Sequence, residues 1–180
     1  MKRVWYVNKF NTLISMITDR SDDRPGEKSF LAQCDDDPDK YNILWTGNTP
    51  SIVDDPTYTN RKKLKNQERM WEQIKGSRDA RKGGGFKVGD KWFHSDDSSR
   101  IQQLGLYVLG SGVPAVLWKT MDGTFVAMTP TLAGQIFQAA LTLDSTLFTV
   151  AEAHKTAMEA AVHPLQYDYS TGWPENFLGI

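Results

Sequence analysis

The sequence predicts an α+β protein with a small N-terminal β module, a long connecting helix and a C-terminal domain of two β-hairpins with three helices. β-branched and aromatic runs near the N-terminus favour short strands. A Lys-, Arg-, Gln- and Glu-rich stretch without proline follows, and then two Gly-containing turns with apolar flanks. We therefore divide the 180 residues into four parts, namely 1–56, 57–82, 83–165 and an extended aromatic tail at 166–180.

The N-terminal part predicts short strands separated by loops. Residues 4–17 favour two strands with a turn at 8–11, and residues 41–45 favour another strand. Between them, a short apolar segment at 30–32 is flanked by loop compositions. Glycine, proline and aspartate recur near 46–56, which favours a boundary or flexible joint there.

Residues 57–82 predict a helix with a thin apolar stripe. Its only well-spaced apolar positions are Leu64, Met70, Trp71 and Ile74. A long polar helix of this kind is typical of a connector or of a surface that awaits a partner. Three glycines at 83–85 end it.

Two hairpins are expected in the C-terminal domain. Gly89-Asp90 separates residues 86–88 from 91–93, and a turn at 121–123 separates residues 115–120 from 124–128. Glycine in such turns can adopt the positive φ that the tight connection needs.

Three helices complete the predicted domain. The first is capped within residues 95–97, and its apolar positions recur at i, i+3 and i+7 as Ile101, Leu104 and Val108. Thr129-Pro130 opens a second helix, and Asp144 or Ser145 caps a third that runs to about residue 162.

The formal net charge of −1 conceals an uneven distribution. Residues 1–56 carry −3, residues 57–91 carry +7 and residues 92–180 carry −5. The basic segment could follow a phosphate backbone. Because its charges surround the helix and its flanks are acidic, we favour pairing with acidic groups of this chain or of a neighbouring subunit, and nucleic acid is the less favoured partner.

Local motifs predict no enzyme, no metal site and no cofactor. Asp35-x-Asp37-x-Asp39 lacks the glycine and the bidentate glutamate of a calcium loop. The run His94-Ser95-Asp96 is better explained as a strand-end histidine and a helix cap than as a catalytic set. Cys34 lies among aspartates, which predicts a raised thiol pKa and a poor nucleophile.

Six Trp and six Tyr are more than one small core readily buries. Aromatic residues in loops and termini are typical interface anchors. The alternative is that the aromatic tail folds back on its own domain. We expect interface residues on the helix stripe and in the tail, namely Leu64, Trp71, Ile74, Tyr169, Trp173 and Phe177.

Three stretches resemble a bacteriophage and prophage domain of unknown function: RDARKGGGFKVGDKWFHSD at 78–96, SRIQQL at 99–104 and WKTMDGTFV at 118–126. Members of that family tend to be encoded beside tail-fibre genes and are often labelled tail or tail-fibre-assembly proteins. The resemblance covers about residues 65–165 and brings no catalytic residues. Residues 1–56 lie outside it and are expected to be a docking module for a particular virion.

The resemblance implies a non-enzymatic structural or adaptor protein of the phage tail that links or attaches fibre or baseplate components. Its expected partners are other tail proteins and further copies of this chain, without membrane insertion. Its expected location is the virion, after synthesis in the host cytoplasm. Two alternatives stay open. One is a fibre-assembly chaperone that leaves before the particle matures, and the other is a nucleic-acid-binding protein that uses helix 57–82.

Overall fold

The structure is a computed structural model that describes residues 1–7, 11–17, 26–112 and 114–179. The chain divides into two compact units, Met1–Lys65 and Asn66–Ile180. Each is described by itself below. Both contain helix and strand, so the predicted α+β class is confirmed.

The N-terminal unit is built on a three-stranded antiparallel sheet. Its strands are, in spatial order, β2 (Thr12–Ile17), β1 (Lys2–Val7) and β3 (Glu27–Ala32). The central strand carries the buried residues Val4, Trp5 and Tyr6. The two predicted N-terminal strands are therefore present. Of the turn predicted at 8–11, only Asn11, with φ at 48°, belongs to the described residues.

A hairpin completes this unit. It consists of β4 (Tyr41–Thr46) and β5 (Thr49–Asp54). The Tyr6 ring lies 5.9 Å from the Phe30 ring and 5.6 Å from the Trp45 ring, measured between centroids. One aromatic side chain, Tyr6, thus contacts both β3 and the hairpin.

Two strands in this unit differ from the prediction. The apolar segment at 30–32 is the end of a full strand, β3, because pairing along β1 satisfies its polar first half. The region interpreted as a joint near 46–56 contains β5. Pro50 is tolerated there because the two-stranded β4–β5 pair has only edge strands.

Helix α1 (Tyr58–Lys82) is the predicted long helix, and the glycine run at 83–85 follows its last residue. Its first turns belong to the N-terminal unit and the remainder to the C-terminal unit. Both predicted hairpins follow, as β6 (Phe86–Val88) with β7 (Lys91–Phe93) and, further along, β8 (Val116–Lys119) with β9 (Phe125–Met128).

The C-terminal unit is organised around helix α3 (Pro130–Ala160), whose buried residues recur every three or four positions over most of its length. They are Ala133, Ile136, Ala140, Leu143, Leu147, Ala151 and Met158. Phe86, Phe93 and Met128 from the two hairpins join one end of this stripe. Met70 and Ile74 of α1 join the other end.

The two helices predicted in series after Thr129 are one continuous helix, and this is a correction. Thr129 caps it as expected, through a hydrogen bond from the Leu132 amide. Asp144 does not cap a new helix, because both of its carboxylate oxygens accept from Arg100, at 2.8 and 3.0 Å. The C-terminal unit therefore has α3, α2 and the end of α1 in place of three separate helices after residue 83.

Helix α2 (Asp97–Leu109) packs antiparallel on α3 through Arg100 and Tyr107, and its Leu106 packs against the apolar core. Asp96 caps it, through a hydrogen bond from the Ser99 amide, as one of the predicted caps. Its one buried residue is Gln103, whose side chain donates to the His94 carbonyl at 3.0 Å. Tyr107 stacks on Phe137 with ring centroids 6.1 Å apart.

The buried stripe of α3 predicts that two leucines of this helix contribute very differently to the free energy of unfolding. Leu147 is 1% exposed and Leu141 is 56% exposed. Leu147→Ala should lower the free energy of unfolding by about 2–5 kcal/mol because it leaves a cavity. The control Leu141→Ala should change it by less than about 0.5 kcal/mol. Urea unfolding checks both, and equal losses would contradict the assigned face of α3.

Candidate docking surfaces

Four of the six predicted interface residues come together in one cluster, which we call the tail cluster. Ile74 of α1 is fully buried against Ala151 and Met158 of α3, and Trp71, Tyr169 and Trp173 pack around this core. Residues of the helix stripe and of the C-terminal tail therefore meet each other. Ile74 has no exposed surface left for a partner.

Trp173 anchors the tail to its own unit. Its indole Nε1 donates to the Tyr169 carbonyl at 2.7 Å. The ring lies 5.1 Å from the His154 ring and 5.1 Å from the Arg81 guanidinium. His154 also hydrogen-bonds the Tyr167 hydroxyl through Nδ1, at 2.9 Å. Of the two alternatives for the tail, the structure has the one in which it folds back.

The glycine run at 83–85 leaves room for the tail and for the second hairpin. A Cβ at Gly84 would lie 3.0 Å from the side chain of Asn176, and the Phe177 amide donates to the Gly84 carbonyl at 2.9 Å. Gly85 has φ at +88°, and a Cβ there would lie 2.3 Å from the Met121 sulfur. The run therefore does more than end α1.

The remaining two predicted interface residues stay accessible. Phe177 is 41% exposed and its ring lies 6.1 Å from that of Trp92. Leu64, in the N-terminal unit, is 51% exposed. Their contact with a partner stays a prediction.

The predicted catalytic and metal candidates have structural roles in the described part of the chain. The buried Ser95 hydroxyl donates to the Lys82 carbonyl and accepts from the Gly85 amide. Burial raises the pKa of the Cys34 thiol, in the predicted direction, and Asp35 contributes less. In the described ranges, no three His, Cys, Asp or Glu side chains form a group that could hold a metal ion.

The first turns of α1 pair with acidic residues of their own unit. Arg61 bonds the Asp55 carboxylate at 2.5 Å, and Lys62 lies 3.2 Å from that of Asp37. Asp37 also accepts a hydrogen bond from the Tyr58 hydroxyl, and this bond is the main cause that lowers the pKa of Asp37. Part of the basic segment is therefore neutralised by an acidic flank of the chain.

The apolar positions that the sequence analysis identified on α2 form an exposed surface. We call it the α2 seam: Ile101, Leu104, Gly105 and Val108. Ile101 and Val108 are 71% and 73% exposed, and Leu104 is 40% exposed. An apolar stripe on a helix normally faces the core. The i, i+3, i+7 pattern marked these residues but could not tell that they face outward.

More apolar surface lies beside the seam. Leu104 lies between Arg100 and Tyr107 on α2, and Leu141 lies between their partners Asp144 and Phe137 on α3. The two exposed leucines are therefore at the same level of the antiparallel helix pair. Large exposed apolar patches mark interaction sites.

Comparison with known proteins places the C-terminal unit in a family. Residues 65–171 match the family described as "Domain of unknown function (DUF4376)". The chain belongs to this family. No curated protein and no solved structure matches the chain. Within the described ranges, none of the helices has the length and apolar character needed to cross a membrane.

The lowered pKa of Asp37 predicts an acid-sensitive N-terminal unit. A carboxylate whose pKa is lower in the folded than in the unfolded state stabilises the folded unit at pH values above its unfolded-state pKa of about 4. This contribution is lost as the pH falls below that value. Asp37→Asn should lower stability at neutral pH and flatten the profile below about pH 4. Urea unfolding, followed by tryptophan fluorescence across this range, measures both effects.

Asp39→Asn is the matched control, because the exposed Asp39 carboxylate accepts no hydrogen bond from a described residue. Its profile should match that of the unchanged chain. If the Asp37 and Asp39 variants gave the same profile, the pairing between Asp37 and α1 would not contribute to stability.

Proposed function

We propose that the protein is a non-enzymatic structural or adaptor component of a bacteriophage tail that links or attaches fibre or baseplate components. The proposal that it docks other proteins is carried by the α2 seam, whose three large side chains face away from the core. The assignment to a tail is carried by the resemblance over about residues 65–165.

The geometry of the C-terminal unit supports an adaptor in two ways. The run at 94–96 has structural contacts: Ser95 hydrogen-bonds backbone groups, Asp96 caps α2 and the His94 carbonyl accepts from Gln103. The tail cluster fixes the C-terminal segment to α1 and α3, and the bidentate Arg100–Asp144 pair holds α2 on α3, so the seam is a preformed surface. Preformed surfaces bind with a smaller ordering cost.

Nucleic-acid binding through α1 is a weaker candidate. Arg61 and Lys62 already pair with carboxylates of their own unit. Lys75 and Arg78 pair with Glu72 and Asp79 on the helix itself. Each internal pair lowers the number of cations that could neutralise phosphates, and binding to phosphate depends on that number.

Mass spectrometry of purified virions, combined with a deletion mutant of the phage, tests the proposal. We expect the polypeptide in the particle and virions without attached fibres when it is absent. A polypeptide missing from virions whose deletion still blocks fibre assembly would favour the chaperone. Normal virions from the deletion mutant would overturn both roles.

A binding titration with duplex DNA at low and at physiological salt addresses the third role. We expect no salt-dependent binding. A binding constant that falls steeply with salt concentration on a log–log plot would instead support the basic helix as a phosphate-binding surface.

A further inference from the structure

The α2 seam consists of three apolar side chains and one glycine on the same face of α2. Residues three and four apart are neighbours on a helix, so Ile101 and Val108 each neighbour both Leu104 and Gly105. Gln103, the buried residue of α2, lies on the opposite side of the helix. The seam therefore lies on the side of α2 opposite its buried residue.

From Ile101 to Val108 the seam carries no charged side chain, and the exposed Asp97, one turn earlier on the same face, lies just outside it. Between residues 98 and 118 the chain has one charged side chain, Arg100. Both of its terminal nitrogens bond Asp144, and its Nε donates to the Ser95 carbonyl at 2.6 Å. A partner that covers the seam has no unlike charge to supply, and a charged partner would lose hydration without compensation. The complementary surface is another uncharged apolar one.

Gly105 has no packing reason inside its own unit. A Cβ at this position would meet no atom of the described residues within 4 Å. Glycine in a helix interior costs about 0.5–1 kcal/mol relative to alanine. At the centre of an apolar seam, a missing side chain allows the backbone of a second helix to approach closely.

We propose that the α2 seam binds the α2 seam of a second copy of this chain, with the two helices antiparallel about a two-fold axis between Leu104 and Gly105. This inference rests on the proposed function, since it names one partner of the same docking surface. The axis places Ile101 of one copy opposite Val108 of the other. One apolar, uncharged patch thus complements itself, as an isologous contact requires.

The size of the seam sets the expected strength. A contact centred on one short helix pair falls below the roughly 1,200 Å² of total buried surface that stable interfaces exceed. We therefore expect a reversible dimer with a dissociation constant in the micromolar range, which a high local concentration in an assembly would populate.

Sedimentation velocity of the full chain, from about one to several hundred micromolar, tests the proposal. We expect concentration-dependent dimerisation of the unchanged chain. Ile101→Lys and Val108→Glu should each raise the dissociation constant at least about tenfold, because each places a charge in the interface. Circular dichroism and urea unfolding should show both variants folded, since both positions are exposed.

Mixing the two variants distinguishes the proposed symmetry from other dimers. In a mixed dimer the lysine introduced by Ile101→Lys in one copy lies opposite the glutamate introduced by Val108→Glu in the other. The second site of the same dimer keeps valine opposite isoleucine. The mixture should therefore associate more tightly than either variant alone. No gain on mixing would overturn the antiparallel arrangement.

Two helical glycines supply a matched comparison. A Cβ at Gly76 of α1 would also meet nothing within 4 Å in the described part of the chain, but the residues three and four positions away are polar or alanine. Gly105→Leu should raise the dissociation constant at least about tenfold, and Gly76→Leu should leave it within about twofold. Equal effects would overturn the role of Gly105.

Failure of this inference is distinguishable from failure of the proposed function. A chain that stays monomeric at every concentration overturns the second copy, while presence in the virion is read independently by mass spectrometry. A monomer that binds a purified tail component, and loses that binding in Ile101→Lys, overturns the second copy and retains the adaptor.

Discussion

The C-terminal unit depends on one constraint, the continuous burial of a single face of α3. A fully buried aliphatic side chain contributes about 1.5–3 kcal/mol relative to an exposed one. Ile136, Leu147 and Met158 are each buried to within 1% of completely, and they span most of the helix. Both hairpins, the end of α1 and the tail cluster find their apolar partners along this face. Truncation of the buried side chains at the centre of α3 would therefore weaken the packing of each of these elements.

Contacts with α3 also determine which side of α2 faces inward. On the side of α3 that faces α2, Asp144 binds Arg100 and the Phe137 ring stacks on Tyr107. A bidentate bond between guanidinium and carboxylate fixes orientation more strictly than apolar contact does. With α2 held in this rotation, its apolar seam faces solvent. The surface that supports the proposed function is thus a consequence of how the helix is anchored.

Local signals in the sequence predicted much of the C-terminal unit. Gly89 and Gly123 adopt the positive φ of the expected hairpin turns, and Asp96 and Thr129 cap the expected helices. These features depend on a few adjacent residues, so sequence reasoning can find them. Features that depend on distant partners were not predictable. Asp144 has the chemistry of a cap, and only its contact with Arg100 decides that the helix continues. The path of the aromatic tail could not be predicted, because its apolar residues have no regular spacing. The local pattern also could not show that the α2 seam faces solvent.

Cysteine labelling tests the rotation of α2 about its own axis. In a Cys34→Ser background, single cysteines in place of Ile101 and of Gln103 report opposite sides of the helix. The labelling is done at a protein concentration well below the dissociation constant of the dimer. We expect Ile101→Cys to react with a thiol reagent at least about 100-fold faster than Gln103→Cys, because the structure around the buried position must unfold locally before the thiol can react. Equal rates, or faster reaction at position 103, would contradict the outward seam and the function proposed from it.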